Sequence, residues 1–196
     1  MKGKLIAIEG CDGSGLSTQT KMLCEWLRSK GKEVLQTKEP TENFIGKTIR
    51  SVLRKEITTD QKTLQLLFCA DRAHHLESEI IPALEQNKIV VTDRYIMSTI
   101  AFGSLNEDAE WLKKLNEKFR KPDLTIIIDV PEDISINRIK SSRPKIELFE
   151  EKEKLKKIRE NYKTLSKEFP NVILVDGTKP PEEVFNLIKS AVESNL

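Results

Sequence analysis

Apolar positions follow two rhythms along the chain, and the rhythms alternate. Five short runs have the length of a strand: KLIAI (4–8), KEVLQT (32–37), KIVVT (88–92), LTIIIDV (124–130) and NVILV (171–175). The third and fourth are nearly all apolar, which is the pattern of a parallel sheet covered on both faces. Between the runs, apolar residues recur at helical spacing: Leu23, Trp26 and Leu27; Leu64, Leu67 and Phe68; Val184, Ile188 and Val192. Pro82 interrupts a long helical stretch and predicts a kink or a restart. Pro180 and Pro181 announce the last helix, with Glu182 and Glu183 in its positive first turn. EEKEKLKKIRE (150–160) pairs Glu150 with Lys154 and Glu153 with Lys157 at i,i+4, as a solvated helix face does. With no internal repeat or low-complexity linker, the alternation predicts one doubly wound α/β domain.

Composition narrows the function classes. A chain of 196 residues suits one sizeable core. A third of the residues are charged, yet the net charge is only +2. That balance gives no footprint for nucleic acid or an anionic membrane. Cys11, Cys24 and Cys69 are odd in number and form no C-x-x-C pair, so neither a disulfide frame nor a zinc site is expected. A reducing, cytoplasmic setting follows. The first apolar run is too short for a signal peptide or a membrane span.

Four segments carry candidate chemistry. GCDGSGLST (10–18) has the spacing of a phosphate-binding loop, but Leu16 occupies the position that the pattern reserves for lysine. Gly10, Gly13 and Gly15 let backbone N–H groups turn inward, and the helix that begins near Leu16 adds its positive end. Ser17 stands where a hydroxyl meets Mg²⁺. DRY (93–95) ends the third strand, where Asp93 can hold Mg²⁺ through water and Arg94 can grip a phosphate. In LLFCADRAHH (66–75), Phe68, Arg72 and His75 share a helix face, which sets either a ring that can stack on a base beside a guanidinium that can bond its edge, or a core ring beside a surface charge. His74 and His75 have no Glu or Cys at metal-ligand spacing. NRIKSSRPK (137–145) carries Arg138, Lys140, Arg143 and Lys145, a basic flap suited to a polyphosphate or a solvated loop.

Taken in order, IEGCDGSGLST, KEP, LLFCADRAHH, DRYIMST, PDLTIIIDVPED and LFEE resemble the motifs of thymidylate kinases, a family of P-loop nucleoside monophosphate kinases. The likeness runs through nearly the whole chain. It implies a three-layer α/β P-loop fold, with a five-stranded parallel sheet between helices and a small lid near 138–150, all in one domain over 1–196. It implies ATP and Mg²⁺ as cofactors, dTMP as the small-molecule substrate, and a homodimer without nucleic-acid or membrane partners.

Site roles follow from the same resemblance. Gly10, Cys11, Asp12, Gly13, Ser14, Gly15, Leu16, Ser17 and Thr18 would cradle ATP, and Ser17 and Asp93 would hold the metal. Asp12 would lie near the 3′-hydroxyl, and Arg94 would face the acceptor phosphate. Phe68 would stack on thymine, and Arg72 would bond its edge. Ser98 and Thr99 would also read the base, Phe102 would crowd the 2′ position, and Glu39 belongs to the loop after the second strand. Asp12, Asp93, Arg94, Arg138 and Arg143 form the catalytic set, with Arg143 expected to stand in for the absent lysine. The sequence departs from the family at Leu16 and at Leu148, where many relatives have a basic residue. Two other readings stay open: a kinase for another nucleotide, and a nucleotide-binding protein without catalysis, which Leu16 supports.

Overall fold

The computed structural model describes residues 3–142 and 151–195. Each expected strand is present: β1 (Lys4–Gly10), β2 (Val34–Lys38), β3 (Ile89–Asp93), β4 (Leu124–Asp129) and β5 (Val172–Asp176). All pair in parallel, in the order β2-β3-β1-β4-β5. The three central strands are buried almost throughout, and the two edge strands are half-exposed. That difference agrees with the polar character of 32–37, whereas 171–175 is mostly apolar although it forms the other edge.

Helices cover both faces of the sheet. They are α1 (Leu16–Ser29), α2 (Phe44–Leu53), α3 (Gln61–His75), α4 (Ile81–Glu85), α5 (Ile96–Gly103), α6 (Ala109–Asn116), α7 (Glu132–Ser142), α8 (Lys152–Glu168) and α9 (Pro181–Asn195). One core gathers Leu5, Ile49, Leu64, Ile100, Leu112 and Ile158; the other gathers Ile6, Leu23, Leu27, Val91, Ile126 and Ile188. Leu16 belongs to the second.

The interruption at Pro82 takes a specific form. The chain widens into a π-helical turn over Leu76–Ile80, and Pro82 then sits in the first turn of α4, where its missing N–H costs nothing. Glu150 lies outside the described residues; over 151–160 the charged positions are mostly solvated while Leu155 and Ile158 face inward. Arg159 departs from that pattern, bonded in two places to Asp129, Nε to Oδ1 at 2.6 Å and Nη2 to Oδ2 at 2.9 Å.

Register sets up the site. From β1 the chain runs out to β2, returns through β3 and then crosses β1 to reach β4. A parallel sheet opens a crevice at the carboxyl ends of the strands where the winding reverses. Ile8 lies opposite Asp93 and Gly10 opposite Ile128, so the loop after β1 and the DRY segment after β3 leave the sheet side by side.

Candidate active site

The loop between β1 and α1 is shaped by its glycines. Gly13 and Gly15 have φ of 76° and 97°, in the left-handed region that favours glycine. At Gly13 there is also no room: a Cβ would lie 2.5 Å from the carbonyl oxygen of Ser135 in α7. Gly15 is the N-cap of α1, and no side chain caps that end. Its first-turn N–H groups and the helix's positive end therefore face the cleft as an anion site.

That cleft, about 630 Å³, holds most of the expected site. Cys11, Asp12, Gly13, Gly15, Leu16, Ser17 and Thr18 line it from the loop; Gly10 and Ser14 lie beneath. Glu39, Phe68, Arg72, Asp93, Arg94, Ser98, Thr99, Phe102 and Arg138 line it from elsewhere. Arg143, Lys145 and Leu148 lie outside the described residues, as does the rest of the lid from 143 to 150.

Ser17 Oγ donates to Asp93 Oδ2 at 2.7 Å, which brings two oxygen ligands together at the mouth of the loop. Arg94, with φ of 70°, reaches back across the cleft. Its guanidinium donates to the Gly10 carbonyl at 2.8 Å, to Ser98 Oγ at 3.2 Å and to Asp12 Oδ1 at 2.6 Å, and lies over the Phe102 ring. Burial works against its charge, but Asp12, Tyr162, Asp93 and Glu9 together outweigh this and hold its pKa above the ordinary value.

Arg72 is a buried residue of the cleft wall and not a surface charge. One Nη donates to Glu39 at 2.6 Å and to Thr99 Oγ1 at 3.0 Å, and the other donates to Asn116. Its Nε has no partner among the described residues. Burial opposes the charge here too, and Glu39, Tyr95 and Cys69 together outweigh it, so the pKa is raised. His75 takes the second Glu39 oxygen at 3.1 Å and meets Thr37 Oγ1 at 2.7 Å. It is a buried structural residue, and among the described residues no group of three or more His, Cys, Asp or Glu is placed to hold a metal.

Several contributors escaped the sequence reading. Glu9 is fully buried and accepts from the backbone N–H groups of Tyr95 and Ser98, from Ser98 Oγ and from Tyr162 Oη. It thereby fixes the start of α5, and burial raises its pKa. Ser98, expected to read the base, has its hydroxyl committed to Glu9. Asp71 accepts from Thr41 N and Oγ1 at 2.8 and 2.6 Å, tying the loop after β2 to α3 so that Glu39 meets Arg72. Arg50 lines the cleft while donating to Pro40 O and Glu42. Only Glu9 left a local signal, as an acid ending an apolar strand.

Leu16 is 7% exposed and packs into the apolar cluster under α1 and α9, so it leaves the lysine's space open. Arg138 lines the same cleft from α7, with one Nη donating to Gly177 O at 3.0 Å. Burial pushes the Cys11 thiol up to about 12, so it stays protonated and unreactive at neutral pH.

A phosphate-binding loop at the switch point of a five-stranded parallel sheet, with a Ser–Asp oxygen pair and buried arginines, defines a P-loop phosphotransferase of the nucleoside monophosphate kinase class. Comparisons with known proteins make this particular. The sequence profile of the thymidylate kinase family matches residues 8–188. The chain is 39% identical to a probable thymidylate kinase of Pyrococcus horikoshii, covering 100% of this chain and 98% of the relative. It is 40% identical to one of Thermococcus kodakarensis, covering 97% and 98%, and 44% identical to one of Methanosphaera stadtmanae, covering 91% of each. The chain belongs to the thymidylate kinase family.

Proposed function

We propose that the chain transfers the γ-phosphoryl group of ATP to dTMP, giving ADP and dTDP, with Mg²⁺ required. The observation that carries this reading is the pairing of Ser17 with Asp93 and of Arg94 with Asp12 in one cleft. An all-oxygen pair suits Mg²⁺, which keeps water and substrate phosphates as its remaining ligands. When bound there, Mg²⁺ would neutralise charge on the transferring phosphoryl group.

The protein's own groups position and stabilise. The loop N–H groups hold the donor's phosphates, and Arg94 presents its guanidinium to the acceptor phosphate. Phe68 and Arg72 hold the base, Asp12 lies beside the sugar, and Phe102 crowds the 2′ position. The acceptor phosphate is already a competent nucleophile, so no dedicated base is required. Arg138 supplies the positive charge that Leu16 cannot. The same reading makes the chain one domain with a lid near 138–150, cytoplasmic and homodimeric. Among the described residues no helix is long and apolar enough to cross a membrane. Five large apolar side chains, Phe44, Ile57, Leu66, Leu174 and Leu187, are exposed among the described residues.

The test is ADP formation with ATP and Mg²⁺ against dTMP, dUMP, CMP and AMP. Fastest turnover of dTMP is expected. Equal or faster turnover of CMP or AMP overturns the substrate assignment. Tight dTMP binding without any transfer would restore the non-catalytic alternative.

A further inference from the structure

We propose that Gln65 is a second base-reading residue, whose carboxamide bonds a carbonyl oxygen of the pyrimidine; this rests on the dTMP reading above. Gln65 is 1% exposed, and it lines the cleft. Neither its Nε2 nor its Oε1 has a hydrogen-bond partner among the described residues. Buried amides are nearly always paired, and one left with both ends open asks for an explanation. The role assigned to the same wall supplies one. Gln65 lies on the α3 face that carries Phe68 and Arg72, one turn before the first and two before the second. Across from it, α5 offers Thr99, which bonds Arg72, and then Gly103 one turn later.

Gly103 leaves room for the carboxamide. A Cβ there would come within 3.0 Å of both Cδ and Oε1 of Gln65. The last torsion of a glutamine is soft, so the amide can swing toward the cleft without disturbing the helix. Thymine offers two carbonyl oxygens as acceptors, and Nε2–H is a donor without a protein acceptor. In the bound state the amide gains the partner it lacks in the free protein. A hydroxyl or a charged group would not serve as well here. The first reaches less far than the carboxamide, and the second would bring an unpaired charge into a buried wall.

The test is calorimetric binding of dTMP and of ATP to wild type and to Gln65→Leu, with melting temperatures alongside. Loss of one neutral hydrogen bond predicts about tenfold weaker dTMP binding. ATP affinity should be unchanged, and the melting temperature should be equal or higher, because an unpaired polar group has been removed. With 2-thio-dTMP or 4-thio-dTMP, in which sulfur is a poor acceptor, the effect of Gln65→Leu should shrink for the analogue that loses the oxygen being read. A merely structural residue would not show that dependence. Gln65→Met serves as the parallel variant should the branched side chain fold poorly. Equal dTMP affinity in wild type and variant overturns the inference while the function stands, and so does an undiminished loss with both thio analogues. No dTMP binding by wild type overturns both.

Discussion

Arg72 and Glu39 meet at 2.6 Å with side chains only 1% and 4% exposed. A pair this deep is stable only while both partners are present, because either charge alone would be stranded away from water. Arg72→Ala should therefore do more than weaken nucleotide binding. It should destabilise the protein by about 3–5 kcal/mol. Glu39→Gln added to Arg72→Ala should recover part of that loss. Denaturant unfolding of the two single variants and the double variant measures the coupling, and additive losses would show that the pair is not a unit.

Asp93→Asn should leave the melting temperature nearly unchanged, since its partner Ser17 is exposed. It should lower kcat by about tenfold to a hundredfold and raise the Mg²⁺ concentration needed for half-maximal rate. A magnesium titration of both proteins checks this. An unaltered Mg²⁺ dependence would make Asp93 structural.

Leu16→Lys sets two effects against each other. Removing an apolar side chain from the cluster under α1 should cost about 1–2 kcal/mol of stability. Returning a positive charge to the loop should raise kcat. Arg138→Ala alone should lower kcat by about 10²-fold, but only mildly in the Leu16→Lys background. Rate measurements on the four proteins give the cycle. Additive effects would remove Arg138 as the substitute charge and leave the lid residue Arg143 as the next to be tested.

Asp129 gives a pH signature away from the cleft floor. Burial raises its pKa, but the hydrogen bonds and charge of Arg159 and Lys163 outweigh this, and the net value falls below the ordinary 3.8. A lowered carboxylate pKa means that the stabilisation is fully present above about 3.8 and is lost as pH falls through the lower folded value. Partial solvent contact limits the size to about 1 kcal/mol. Asp129→Asn should therefore melt earlier than wild type at neutral pH, and the gap should close in strong acid. A gap independent of pH would assign the effect to packing.

The architecture was legible because strand length and burial are local properties of a sequence. Ile126, Ile127 and Ile128 in a row require cover on both sides wherever they lie. The phosphate loop was legible for a similar reason, since glycine spacing encodes a backbone shape. Arg72 was harder. Helical spacing puts it beside Phe68, but only Asp71, through Thr41, brings Glu39 to it, and Asn116 lies 44 positions away. The Glu9–Tyr162 bond joins residues 153 positions apart, and no short window contains both. Gln65 looks like an ordinary polar position in a helix until its surroundings are known to be closed.

The seat of α7 on the phosphate loop has a mechanical consequence. Where Gly13 faces α7, the space a Cβ would take is bounded by the Ser135 carbonyl and the Ile139 side chain. The loop backbone lies directly against the helix there, so a shift of α7 bears on the loop. Arg138 rides on that same helix, and residues 143–150 continue from its end. The phosphate cradle and the helix that carries Arg138 are thereby seated on one another, with Gly13 as the bearing between them. Even alanine at position 13 would act as a wedge, prising that helix from the loop as well as altering the loop's shape.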